Sequence, residues 1–220
     1  MSEPASDRRL VRFDVVERIA HWSLAALFII LMLTAVPLYV GSVAQLVGRR
    51  ALLAEIHSWC GVALPVPLIV SLLGPWGRRL RRDVRRLNLW TSDERRWLRS
   101  LGRYPVVEPG KFNAGQKLNA AFTAGVIVAM LVTGSVMHWY KPFPVDWRTG
   151  ATFVHDVIAF AVFAVVIGHI GFALTHRDAL RSMFGGRVSR RWARTHAPAW
   201  LKELEVGEEE PARRVPVRGS

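Results

Sequence analysis

The sequence predicts an all-α membrane protein built on four transmembrane helices. Three observations carry that expectation: four apolar stretches of spanning length, positive charge confined to the segments between and after them, and histidines placed at two depths within them. The chain has 220 residues, enough for one domain. Hydrophobic residues make up 51% of it, yet it also carries 30 Lys and Arg against 17 Asp and Glu. In a soluble chain that basic excess would point to nucleic acid. Here the basic residues are segregated from the apolar runs, which assigns them to loops facing an anionic membrane surface and argues for lipid, not nucleic acid, as their partner.

A hydrocarbon core of about 30 Å needs roughly 20 helical residues. Spans are accordingly expected over residues 19–40, 52–73, 114–139 and 151–175. Residues 1–18 form an N-terminal segment, 19–176 the helical bundle, and 177–220 a basic tail. No Asp, Glu, Lys or Arg falls in the centre of any span; Glu55, Lys117 and Asp156 lie near span ends, where side chains reach the headgroups. Pro65 and Pro67 should kink the second span, since each removes a backbone donor. Trp22, Tyr39, Trp59, Trp76, Trp139 and Tyr140 cluster near span ends as an interfacial belt should. Ser42-Val43-Ala44 resembles a signal-peptidase site, but the preceding run is longer than a signal core, and the segment is read as a retained span. From Glu203 onward the tail is charged and contains proline, so disorder is expected there.

Arginine placement sets the orientation. The segment between spans two and three holds an arginine run from Arg78 to Arg86, then Arg95, Arg96, Arg99, Arg103 and Lys111. The tail adds Arg177, Arg181, Arg187, Arg190, Arg191 and Arg194. The other two connections carry only Arg49 with Arg50, and Lys141 with Arg148. The positive-inside rule then puts both termini and the long middle segment in the cytoplasm of a bacterial inner membrane.

That topology sorts the histidines by depth. His21 opens span one near the cytoplasmic face, and His57 opens span two near the outer face. Span four carries His155 near the outer face and His169 fourteen residues later, about 21 Å deeper and on nearly the same stripe. Metal-binding groups are costly inside a bilayer and mark functional sites. The depths pair His57 with His155 and His21 with His169, the arrangement that two bis-histidine haems would need. The fold class is therefore a di-haem four-helix bundle. The single cysteine, Cys60, excludes an internal disulfide and covalent haem attachment, so the cofactors expected are two non-covalent haems b. His138, at the outer end of span three, could compete with His155; His138, His176 and His196 are otherwise read as interfacial or solvated side chains.

At the cytoplasmic start of span three stands Gly110-Lys111-Phe112-Asn113-Ala114-Gly115-Gln116-Lys117. Asn113 is a good N-cap and Gly115 exposes the amides of the first turn. Two readings stand side by side: a capped helix with a snorkelling lysine, or a polar pocket where a quinone carbonyl accepts hydrogen bonds beside the inner haem.

Three motifs spread along the chain resemble one family. They are Arg12-Phe13-Asp14-Val15-Val16-Glu17-Arg18-Ile19-Ala20-His21-Trp22, the run Lys111-Phe112-Asn113-Ala114-Gly115-Gln116-Lys117, and Gly186-Arg187-Val188-Ser189-Arg190-Arg191-Trp192-Ala193. Together they resemble the cytochrome b (gamma) subunit of membrane-bound formate dehydrogenase. The resemblance implies haem ligands at His21, His57, His155 and His169, and quinone contacts at Asn113, Gly115 and Gln116. It also implies an iron–sulfur beta subunit on the outer face and, through it, a molybdenum or tungsten catalytic alpha subunit. Electrons would then cross the membrane to quinone, menaquinone or ubiquinone, on the cytoplasmic side. Phe112 stands where some relatives carry Tyr, and the loop from Gly41 to Glu55 is shorter than in some. The alternative is the cytochrome b anchor of a hydrogenase or another quinone-linked reductase; a haem-free anchor or transporter with proton-relay histidines is a third class.

Overall fold

A computed structural model of the chain describes residues 9–213. It divides into two compact units, one holding Val15–Arg81 and Ala121–Arg177, the other the segments up to Asp14, Arg82–Ala120 and from Asp178 on.

The apolar unit contains the spans. Helix α1 runs Val15–Tyr39, followed by the short α2, Gly41–Val47. The second span, Arg50–Leu73, comes in two pieces, α3 at Arg50–Ala63 and α4 at Val66–Leu73. The expected kink is thus a break. Pro65 has no N–H to continue the α3 ladder, the Leu64 amide tightens onto the Gly61 carbonyl at 3.3 Å, and Pro67 fits the first turn of α4. A 3-10 turn at Pro75–Gly77 follows. A Cβ on Gly77 would sit 2.0 Å from the Ser71 carbonyl oxygen, so only glycine allows this close approach. Arg81 then donates to the Leu72 and Gly74 carbonyls at 2.6 and 3.0 Å, satisfying the end of α4. Helix α7 runs Ala114–His138 and α8 runs Val145–Thr175. All four spans are long and apolar enough to cross a membrane. Helix α1 starts four residues before the expected span, and α8 starts six residues early behind Pro144, outside the apolar run. Leu33, Val128, Phe153 and Ile167 are exposed along them, as suits side chains surrounded by hydrocarbon.

The other unit shows more order than the composition suggested. The segment expected as a loop contains α5, Arg78–Asn88, and α6, Ser92–Arg99. Thr91 and Glu94 form a capping box on α6, with the Glu94 amide donating to Thr91 Oγ1 at 3.2 Å and the Thr91 amide donating to Glu94 Oε2 at 2.9 Å. Strand β1, Arg9–Val11, pairs antiparallel with β2, Arg187–Ser189, which follows α9, Arg177–Gly185. After α10, Arg190–His196, comes α11, Pro198–Arg213. This corrects the disorder expected from Glu203. Trp200 and Leu201 are buried with Leu10, Val188, Ala193 and Ala197, and Leu204 packs on them. Apolar burial on one side of a charged helix holds it in place. Residues 214–220 lie outside the described residues.

Buried ion pairs tie the segments of this unit together. Asp83 is paired with Lys111 and accepts from Arg86 Nη1 at 3.0 Å. Lys117 donates to Glu94 Oε2 at 2.7 Å and to the Leu89 carbonyl at 2.6 Å. Lys117 was expected to reach the headgroups; it and Lys111 are instead buried in specific pairs. Arg12 is buried as well, its guanidinium over the Trp192 ring. Burial pulls that guanidinium down to about 10, partly offset by the Asp83 carboxylate, and it remains charged at neutral pH.

Candidate functional site

Two pairs of histidines face each other within the apolar unit. His57 on α3 and His155 on α8 have ring centroids 6.3 Å apart, with ring planes at 64°. His21 on α1 and His169, also on α8, are likewise 6.3 Å apart, at 55°. These are the two pairings expected from depth. The levels are consistent along two independent helices. His155 and His169 are fourteen residues apart on α8, about 21 Å. On α1, Thr34 lies thirteen residues beyond His21, about 20 Å, and Thr34 touches His57.

The separation has a chemical meaning. With a metal–imidazole bond of about 2 Å and a ring centre about 1.1 Å behind its nitrogen, two axial rings on one metal have centroids roughly 6.2 Å apart. Both pairs match. Among the described residues no group of three or more His, Cys, Asp or Glu is placed to hold a metal ion. Each pair offers two imidazoles at the spacing of two axial ligands, a donor set that fits a metal whose equatorial positions a planar macrocycle fills. Gly134 lies beside the His57/His155 pair, where a Cβ would come within 3.4 Å of His155 Cε1, so its small size leaves the ring its place.

Two residues at this site carry no signal in the sequence alone. Thr34 Oγ1 is 2.9 Å from His57 Nδ1, and Thr133 Oγ1, on α7, is 2.9 Å from His155 Nδ1. Both threonines are buried. Each is one of several hydroxyl side chains in its apolar run, Thr34 thirteen residues after His21, and nothing local singles it out.

The other histidines are engaged elsewhere. The His138 ring meets Trp59 and Trp139 edge-on, at 6.1 and 5.0 Å, so it does not compete for the pair at His155. His176 stacks on Phe172 at 3.9 Å, and His196 stacks on Trp192 at 5.0 Å.

At the start of α7, Asn113 and Gln116 form a reciprocal cap. The Gln116 amide donates to Asn113 Oδ1 at 2.9 Å, and the Asn113 amide donates to Gln116 Oε1 at 3.1 Å. The caps consume both side-chain oxygens and leave both side-chain NH2 groups as donors for other partners. Asn113 and Gly115 are exposed, and a Cβ at Gly115 would meet only Asn113 Oδ1, at 3.5 Å. The structure places these three residues together in one helical turn.

Residues 12–186 match the model of the prokaryotic cytochrome b561 family. Among curated proteins, the formate dehydrogenase cytochrome b556 subunit of Haemophilus influenzae is 27% identical over 209 residues, 91% of this chain and 86% of the relative. The nitrate-inducible formate dehydrogenase cytochrome b556(Fdn) subunit of Escherichia coli K12 is 24% identical over 216 residues, 93% of this chain and 95% of the relative. The cytochrome b556(fdo) subunit of formate dehydrogenase from the same organism is 27% identical over 215 residues, 92% and 97% of the two chains. The family match takes in every span and all four paired histidines, and the chain belongs to the prokaryotic cytochrome b561 family, as a membrane cytochrome b.

Proposed function

We propose that this chain is the membrane cytochrome b subunit of a formate dehydrogenase. His57 and His155 would hold an outer haem b, and His21 and His169 an inner one. The observation that carries this reading is the pair of 6.3 Å ring separations at two levels of the bundle, each the spacing of two axial imidazoles. Family membership and the names of the relatives support it. Bound at both levels, haem b supplies a one-electron relay between the two faces of the membrane.

The chain's own contribution is placement. One helix, α8, carries a ligand for each level, so the spacing of the levels is built into its rise. The apolar spans exclude water around the four rings. The arginine distribution supports an orientation with both termini in the cytoplasm and the His57/His155 level toward the outside. In that orientation an iron–sulfur subunit docks outside, and the formate-oxidising molybdenum or tungsten centre sits on a further partner. Formate oxidation there releases CO2, one proton and two electrons. Quinone is reduced at the cytoplasmic start of α7, where Asn113 and Gln116 offer amide donors, Gly115 allows close approach, and two protons enter from the cytoplasm.

The test is purification of the intact complex from membranes with haem and partner identification. Two haems b per chain, reducible by formate, are expected. A haem-bearing complex whose partner is a hydrogenase or another reductase would overturn the formate assignment alone. A chain without haem would overturn the cytochrome reading altogether.

A further inference from the structure

The two histidines of the outer pair are served by matching threonines on two different helices. Thr34 Oγ1 lies 2.8 Å from the Ile30 carbonyl oxygen and 2.9 Å from His57 Nδ1. Thr133 Oγ1 lies 2.8 Å from the Ala129 carbonyl oxygen and 2.9 Å from His155 Nδ1. A hydroxyl has one proton, and a carbonyl oxygen at 2.8 Å can only accept it, as threonine commonly donates to the carbonyl one turn back in a helix. The hydroxyl oxygen is then the acceptor toward the ring, and the ring nitrogen must bring its own proton. Both outer histidines are therefore fixed with hydrogen on Nδ1 and the lone pair on Nε2.

We propose that Thr34 and Thr133 are positioning residues of the outer haem, locking His57 and His155 in the ligating tautomer and making both imidazoles stronger donors to iron. The proposal rests on the haem reading of the histidine pairs. Hydrogen bonding of the distal ring nitrogen orients a metal-bound histidine and raises its basicity. A more basic imidazole favours ferric over ferrous iron and lowers the midpoint potential. Among the described residues no such bond reaches the rings of His21 or His169. This contribution lowers the potential of the outer level relative to the inner, the sign that drives electrons inward from a donor outside.

The experiment is a potentiometric titration of haem absorbance on the purified complex, with haem content measured in parallel. The variants are Thr34→Val, Thr133→Val and the double substitution, each with its Thr→Ser counterpart. Valine keeps the shape and removes the acceptor; serine keeps the acceptor. One of the two midpoints should rise in each valine variant and rise further in the double, while the other stays put and serine restores the wild-type value. Unchanged midpoints in the valine variants, or serine shifting as valine does, would overturn the proposal. If valine costs the haem itself, serine decides: haem retained at the wild-type midpoint supports it, and haem lost in serine overturns it. A wild-type complex lacking haem would reject the underlying cytochrome reading instead, so the two failures are distinguishable.

Discussion

Asp83 and Lys111, twenty-eight residues apart in the chain, form an ion pair with both side chains almost wholly removed from solvent. The same carboxylate accepts from Arg86, and its field reaches the buried Arg12. One acid therefore compensates cations from three separate segments, ahead of α1, within α5 and ahead of α7.

Removing that acid should be costly. Asp83→Ala leaves buried cations without their counter-charge, and breaking such a pair from one side costs about 3–5 kcal/mol. A large fall in the thermal midpoint of the complex in detergent is expected. Glu203→Ala is the control, because Glu203 is largely exposed where it meets Arg86 and exposed pairs contribute no more than about 1 kcal/mol. Equal effects for the two substitutions would contradict the burial argument.

The pairing of rings predicts which level each histidine serves. His57→Ala and His155→Ala should each remove the outer haem and leave the inner, while His21→Ala and His169→Ala should do the reverse. His138→Ala, His176→Ala and His196→Ala should retain both, since those rings pack on tryptophan or phenylalanine instead of another histidine. Haem content with redox titration of the seven variants is the measurement.

Quinone binding at the start of α7 requires a variant that spares the cap. Asn113→Leu would remove both the cap, worth about 0.5–2 kcal/mol, and the amide donor. Asn113→Asp keeps the capping oxygen and removes the donor, and the negative charge it adds is one a helix N-terminus accommodates. A hydrogen bond worth on the order of 1 kcal/mol corresponds to several-fold weaker quinone binding, with thermal stability and haem reduction by formate unchanged. Gly115→Val should be worse, because it fills the exposed turn sterically. Normal quinone turnover in both Asn113→Asp and Gly115→Val would place quinone elsewhere.

Orientation is open to direct measurement. Reporter fusions at Arg95 and after Leu201 should report the cytoplasm, and one near Gly48 the outside. A cytoplasmic signal at Gly48 would invert the levels, with His57 and His155 facing inward.

The spans and histidine pairs were legible because both depend on local facts: continuous apolar sequence, and the fixed rise and turn of a helix. The remainder depends on partners distant in sequence. Lys117 read alone suits a headgroup; its buried carboxylate, Glu94, lies twenty-three residues away on another helix. Likewise α11 looked too charged to fold, because composition does not reveal that Trp200 and Leu201 reach the small core around Val188. The early start of α8 lay outside the apolar run, although Pro144 marked it. Thr34 and Thr133 are ordinary residues until the fold brings each against a ring nitrogen.

Because His155 and His169 share one uninterrupted helix, the separation of the two levels behaves as a ruler that no loop can alter. Connections elsewhere are free to lengthen or shorten without changing the distance between the two histidine levels. A single residue inserted between positions 155 and 169 would instead rotate one ring by about 100° away from its partner. Loop length can drift in such a bundle, while the fourteen-residue interval has no slack.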